Sequence, residues 1–155
     1  MANNPIQITF DSKDIKRRLA KLESSVKTEA TSKGLRAGSN YLIGEIKVNI
    51  VEIDLVDTGD LLNSVTEDEL NLGAKAFVTF GPHKIYAAIH EFGGIILPTR
   101  GPYLVFMGKD GKLVFTKSVT MPARPYIRPA IDDHGDEALK LVGDTIGQIL
   151  DGKWT

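Results

Sequence analysis

The chain has 155 residues, 42% of them apolar and 25% charged, with a formal net charge of −1. That is enough for one domain around a single core, and too close to neutral for a dedicated nucleic-acid binder. With no cysteine, disulfides, thiolate metal sites and a cysteine nucleophile are excluded. The longest apolar runs, about five residues, fall far short of the roughly 20 of a membrane span. Met1 to Pro5 lacks the basic and apolar stretches of a signal peptide. A soluble protein made in a cytoplasm, without membrane partners, is the expectation.

Ile6-Gln7-Ile8-Thr9-Phe10 alternates as a half-buried strand does, and Asp11 or Ser12 can cap the helix that follows. Ile15, Leu19, Leu22, Val26 and Ala30 recur three and four apart, one face of an amphipathic helix. Lys13, Lys16, Arg17, Lys21 and Lys27 lie mostly on the other face, which reads as solvated. A bend near Gly34 is expected. A second helical pattern then runs to about Ile50, with Leu35, Leu42, Ile46 and Asn49 on one side and Ala37, Tyr41, Gly44 and Val48 on the other. Apolar residues on two sides call for cover from two directions.

Asp57 or Thr58 can cap a short helix, with Asp60 near its positive end. Thr66 to Leu72 is acidic and turn-like. Ala76 to Phe80 reads as a strand closed by Gly81-Pro82, and Ile85 to Phe92 as a short helix ended by Gly93-Gly94.

Residues 95–120 read as a protruding hairpin: Tyr103 to Met107, a Gly108-Lys109-Asp110-Gly111 turn with Asp-Gly chemistry, and Lys112 to Thr116 returning. The first strand is apolar at five successive positions, so both faces want cover. That cover comes either from the monomer or from further copies. Residues 121–130 form a strap, Met121-Pro122-Ala123-Arg124-Pro125-Tyr126-Ile127-Arg128-Pro129-Ala130, in which three prolines fix three φ angles and remove three donors. Pro129 suits a first helical turn. The last helix is expected from about Ala130, with Asp132, Asp133, Asp136 and Glu137 in its first turns and Lys153 beyond its end. Two glycine pairs, Gly34/Gly38 and Gly143/Gly147, have one-turn spacing, and at least one should admit a neighbouring backbone. The fold class is α+β, a single domain over 1–155, with a small antiparallel sheet and an extended β-hairpin packed against long amphipathic helices.

No catalytic signature emerges. His90-Glu91 starts like a helical zinc motif, but position 94 is glycine and the second ligand is missing. His83 and His90 give a weak metal signal, the basis of a rival reading as a small metal-dependent hydrolase or nuclease. Ser39, Ser64 and Ser118 lack a nucleophile motif. Glu45-Ile46-Lys47 sits in a helical pattern, and Gly34-Leu35-Arg36-Ala37-Gly38 lacks the phosphate-loop ending. No catalytic residue, metal ligand or cofactor is assigned. The residues expected at an interface with subunits or partners are Tyr103, Val105, Phe106, Leu113 and Phe115 of the hairpin and Arg124, Tyr126 and Arg128 of the strap. The arginines either pair within their own chain or reach a neighbour, and Tyr126 would be the anchor.

Three segments in order, Val56-Asp57-Thr58-Gly59-Asp60-Leu61-Leu62-Asn63-Ser64-Val65, Tyr86-Ala87-Ala88-Ile89-His90-Glu91-Phe92-Gly93-Gly94 and the strap, resemble the tail-completion and neck proteins of tailed bacteriophages, the virion-morphogenesis proteins that join tail to head connector. The resemblance spans about residues 12–150. It departs from the family where Asp60-Leu61-Leu62 replaces the usual basic residue after Asp-Thr-Gly, and in a longer stretch between Gly94 and Met121. What it implies is a non-enzymatic structural part of the virion, made in the host cytoplasm and ending at the head–tail junction. Such a part forms a homo-oligomeric ring, roughly six or twelve copies, against connector, tail-tube and terminator proteins. DNA passes through without specific binding. The alternative reading within the same setting is a tail terminator protein capping the tail tube.

Overall fold

The computed structural model describes residues 6–9, 13–20, 24–108 and 110–152. In chain order the elements are β1 (Ile6–Ile8), α1 (Lys13–Leu19), α2 (Ser24–Glu52), α3 (Asp60–Asn63), β2 (Val65–Asn71), β3 (Phe77–Pro82), α4 (Ala87–Phe92), β4 (Gly94–Ile96), β5 (Leu104–Met107), β6 (Leu113–Thr116), β7 (Val119–Met121) and α5 (Ile127–Leu150). The class is α+β, as expected. Phe10, the capping Asp11 or Ser12, Lys21, Leu22, Lys109 and Lys153 lie outside the described residues.

The chain divides into two compact units, one of residues up to Lys84 together with those from Tyr126 onward, the other Ile85–Pro125. In the first unit α2 packs both on α5 and on the three-stranded antiparallel sheet, whose order is β1-β3-β2. Leu35, Leu42, Ile43, Ile46 and Ile50 of α2 are buried, as are Val65, Val78 and Phe80 of the sheet and Ala130, Ala138, Val142 and Ile146 of α5. The two-directional cover is therefore real, and the expected second side holds in part: Ala37 and Tyr41 are half-buried, while Gly44 and Val48 are exposed.

Helix α2 runs through Gly34 without a break. Gly34 and Gly38 are instead positions where α5 comes close. A Cβ on Gly34 would stand 2.5 Å from Ile146 Cγ1, and one on Gly38 2.5 Å from Val142 Cγ2. The close-approach pair is thus this one. Nothing lies within 4 Å of a Cβ built on Gly147, so that position carries no such constraint.

Four expectations are corrected. Of Thr66 to Leu72, read as an acidic turn, all but Leu72 belongs to strand β2, which pairs with β3 from Val65↔Pro82 to Asn71↔Phe77 around an irregularity between Glu67 and Glu69. Its carboxylates suit an edge strand, where charge deters further pairing. Gly81-Pro82, taken as a stop, continues β3 and ends it. The N-cap of α3 is Gly59, with φ 79° and no side-chain cap, although Thr58 Oγ1 accepts from the Asp60 N–H at a long 3.4 Å. Finally, α5 begins at Ile127 rather than Ala130. Pro129 fits inside the first turn, where its missing amide costs nothing, and this outweighs the extended bias it imposes on Arg128. The acidic residues from Asp132 on consequently fall past the first turn, which contains none, and their dipole benefit is small.

Gly38→Ala should lower unfolding free energy by about 1–3 kcal/mol through overpacking, despite alanine's better helix propensity. Gly147→Ala should be neutral or stabilising by up to ~1 kcal/mol. Urea denaturation of both variants checks the contrast.

Candidate assembly interface

The second unit holds two separate two-stranded antiparallel ribbons, β4–β7 and β5–β6. In the latter Val105 pairs with Phe115 and Met107 with Leu113. Directly opposed residues share a face, so these four side chains form one apolar square. They are 54, 63, 64 and 61% exposed. Phe106 on the other face is also exposed. The expected turn closes the ribbon: the Gly108 N–H donates to the Lys112 carbonyl at 2.8 Å, the Gly111 N–H to the Gly108 carbonyl at 2.9 Å, and Gly111 adopts φ 74°.

A two-stranded ribbon with no third layer is marginal in water, and each large apolar side chain gains about 1.5–3 kcal/mol on full burial. The same unit exposes Ile85, Phe92, Ile95 and Leu97. Of the nineteen large apolar side chains exposed among the described residues, twelve fall in these 41 residues. Contiguous bare apolar surface of this kind marks an interaction site. Tyr103, Val105, Phe106, Leu113 and Phe115, named from the sequence, are all exposed, and so are Met107, Phe92, Ile95 and Leu97, which were not named. The last two stand in Ile95-Ile96-Leu97-Pro98, where apolar residues next to a glycine pair and a proline were the available signal.

The strap is divided. Its first half is tied to α4 within the second unit. The Arg124 N–H donates to the His90 carbonyl at 2.7 Å, and Met121 pairs with Gly94 in β4–β7. Gly93, at φ 67°, lies so close that a Cβ would meet Ala123 N at 2.7 Å. Arg124 is exposed. Its second half belongs to the first unit. Arg128 is exposed on α5, but Tyr126 is fully buried, and its carbonyl accepts from Asn49 Nδ2 at 3.0 Å. Tyr126 is therefore a core residue of its own chain and not an available anchor. An aromatic ring just before a helix start has an intramolecular core to enter, and local sequence does not reveal that.

The polar groups are engaged in structure. His83 Nε2 lies 2.7 Å from Asp68 Oδ1 and 3.0 Å from Thr66 Oγ1. On α2 and α5, His134 sits 3.3 Å from Glu45 and 3.1 Å from the Tyr41 hydroxyl, which donates to Glu137. Partial burial, then the carboxylates of Glu137 and Glu45, raises the Tyr41 pKa above the phenol norm. His90 packs edge-on against Tyr86 at 5.9 Å, and its Nδ1 is buried without a hydrogen-bond partner. Burial first, then the Arg124 charge, lowers its pKa. Among the described residues no set of three or more His, Asp or Glu side chains is placed to hold a metal ion, and no helix is long and apolar enough to cross a membrane.

The chain thus has a packed unit and a second unit rich in exposed apolar side chains. Residues 55–151 match the phage virion morphogenesis family, and residues 13–93 match the family described as "Bacteriophage HK97-gp10, putative tail-component". No curated protein and no solved structure shows significant similarity. The chain belongs to the phage virion morphogenesis family, and its role is that of a structural component of the phage particle and its tail.

Because the His90 pKa in the fold lies below the ordinary 6.5, the neutral ring's contribution to stability is present above that value and is lost as pH falls through the folded pKa. Between about pH 7.5 and about pH 5.5 the protein should lose more stability than His90→Gln does, measured by denaturant unfolding. Equal losses would contradict this.

Proposed function

We propose that copies of this chain close into a ring at the head–tail junction and complete the tail for joining to the head connector. The observation that carries this reading is the bare apolar square of Val105, Met107, Leu113 and Phe115, in a chain of a virion-morphogenesis family. Neighbouring copies cover the β5–β6 ribbon, and Arg124 and Arg128 each reach a neighbouring subunit, where arginine's planar fork suits interface pairing. The ring offers its two ends to the connector and to the tail tube or terminator. DNA passes through the channel, where a near-neutral wall avoids the phosphate binding that would arrest it. Synthesis takes place in the host cytoplasm, and the protein ends in the particle.

A phage lacking this protein should make tails of normal length that fail to join heads, seen by electron microscopy. Overlong tails would instead identify a terminator and overturn the reading. Val105→Ser combined with Phe115→Ser should leave the subunit folded, because both side chains are already exposed, and should abolish its incorporation into particles. Normal incorporation would remove the ribbon from the interface.

A further inference from the structure

We infer that the β5–β6 ribbon of one copy is covered by the exposed valine face at the C-terminal end of α2 in the next copy; this rests on the ring reading above and names the surface that receives the ribbon. Gly44, Val48 and Val51 are spaced four and three apart, so they share one side of the helix. All three are exposed, and nothing lies within 4 Å of a Cβ built on Gly44. Val56, just past the helix end, is exposed as well. This is the part of the second apolar side of α2 that its own unit leaves bare.

The helix ends there in a way that costs the isolated subunit stability. The Leu55 N–H donates to the Ile50 carbonyl and the Asp54 N–H to the Val51 carbonyl, each at 3.1 Å, the double closure of a Schellman turn. Its left-handed residue is Asp54, at φ 54°, the one non-glycine with positive φ among the described residues, where glycine is the usual occupant. Glu52 and Asp54 also stand at the negative end of the helix dipole. Glu52, Asp54 and Asp57 are exposed, and none of them has an ion pair among the described residues. Of the other carboxylates between Gly44 and Asp60, Glu45 is tied to His134 and Asp60 lies 3.8 Å from Lys84. Lys47, half-buried, is the single cation in that stretch. The valine face is thus rimmed by negative charge that awaits cations from outside.

The ribbon brings them. The second unit holds five basic and two acidic residues; Glu91 is buried and Asp110 stands 3.9 Å from Lys112. Lys112 and Lys117 flank Leu113 and Phe115 of the apolar square, Arg100 lies in the segment joining β4 to β5, and all three cations are exposed. An apolar centre rimmed by cations meets an apolar centre rimmed by carboxylates. The layers agree: a two-stranded ribbon needs a further layer, and one face of a helix supplies it. From Gly44 to Val51 the helix advances about 10 Å, against about 7 Å for the two-residue step from Val105 to Met107, so the stripe spans the square. The two surfaces differ, so the contact is heterologous and closes into a ring when its rotation permits.

Two charge variants test this contact. Glu52→Lys with Asp57→Lys makes the α2 end basic, and lysine near a helix C-terminus suits the dipole, so the subunit stays folded. Lys112→Glu with Lys117→Glu makes the ribbon acidic at two exposed positions. Each variant is supplied alone to an infection lacking the native protein, and its amount in purified particles is measured by immunoblot. Each alone should fall about tenfold, the scale of like charges brought together. Supplied together as separate chains they should recover, because in an alternating ring every ribbon then meets an α2 end of opposite sign. Full incorporation of either variant alone overturns the inference. So does a loss that joint supply does not recover, which is what cover within one chain or by a different virion protein would give. The ring reading fails separately, if Val105→Ser with Phe115→Ser enters particles normally. Exclusion of that variant while the α2 variant enters leaves the ribbon an interface and places its receiver elsewhere.

Discussion

The close approach of α2 and α5 at Gly34 and Gly38 governs the first unit. Removing two side chains lets Val142 and Ile146 rest against the α2 backbone, and this spacing admits the rest. Ala30 joins the same cluster. Further along, His134 reaches Glu45 and Tyr41, and Asn49 reaches the Tyr126 carbonyl just before α5 begins. These polar contacts fix register along two helices whose apolar faces would otherwise tolerate sliding. With α5 seated, the opposite side of α2 is free to receive the sheet, and Val65, Val78 and Phe80 are buried. One backbone-level contact thus decides which faces of α2 remain for everything else.

The second unit follows different physics. It has two ribbons and a six-residue helix, too few layers to bury what its sequence carries. Its order comes from backbone ties: the Gly93 turn against Ala123, the Arg124 amide on the His90 carbonyl, and β4 paired with β7. Ties of this kind hold shape without covering apolar surface. The β4–β7 ribbon and α4 are held in this way, whereas the greasy β5–β6 ribbon has only its own pairing, and cover by a partner would add the layer it lacks.

How much of this was legible in the sequence depended on whether a signal was local. The helical patterns over 35–50 and 130–150, the β5–β6 hairpin and its Asp-Gly turn, strand β3 and the short helix before Gly93 were readable from periodicity and turn chemistry, but the break between the first two helices was put at Gly34, whereas α1 ends at Leu19 and α2 starts at Ser24. Strand β2 was not, because Thr66-Glu67-Asp68-Glu69 is turn-like in composition and owes its conformation to pairing with β3, a non-local cause. Strands β4 and β7 are three residues each, too short for a pattern. The strap misled in one respect: its prolines read as a single stiff element, whereas Pro129 is compatible with a helical first turn and Tyr126 has a core to enter. The exposure of the hairpin residues could be read because an apolar run lacked polar alternation, and Tyr126 was misread as available because burial by distant helices leaves no local trace.

Near neutrality is a property of the sum: the first 36 residues hold eight basic and four acidic side chains, and the remainder eleven and sixteen. Apolar burial at the ribbon supplies free energy without direction, since any greasy surface would satisfy it. Direction in the assembly we propose has to come from polar and charged groups at the edge of the contact, where like charges repel and wrong pairings are penalised.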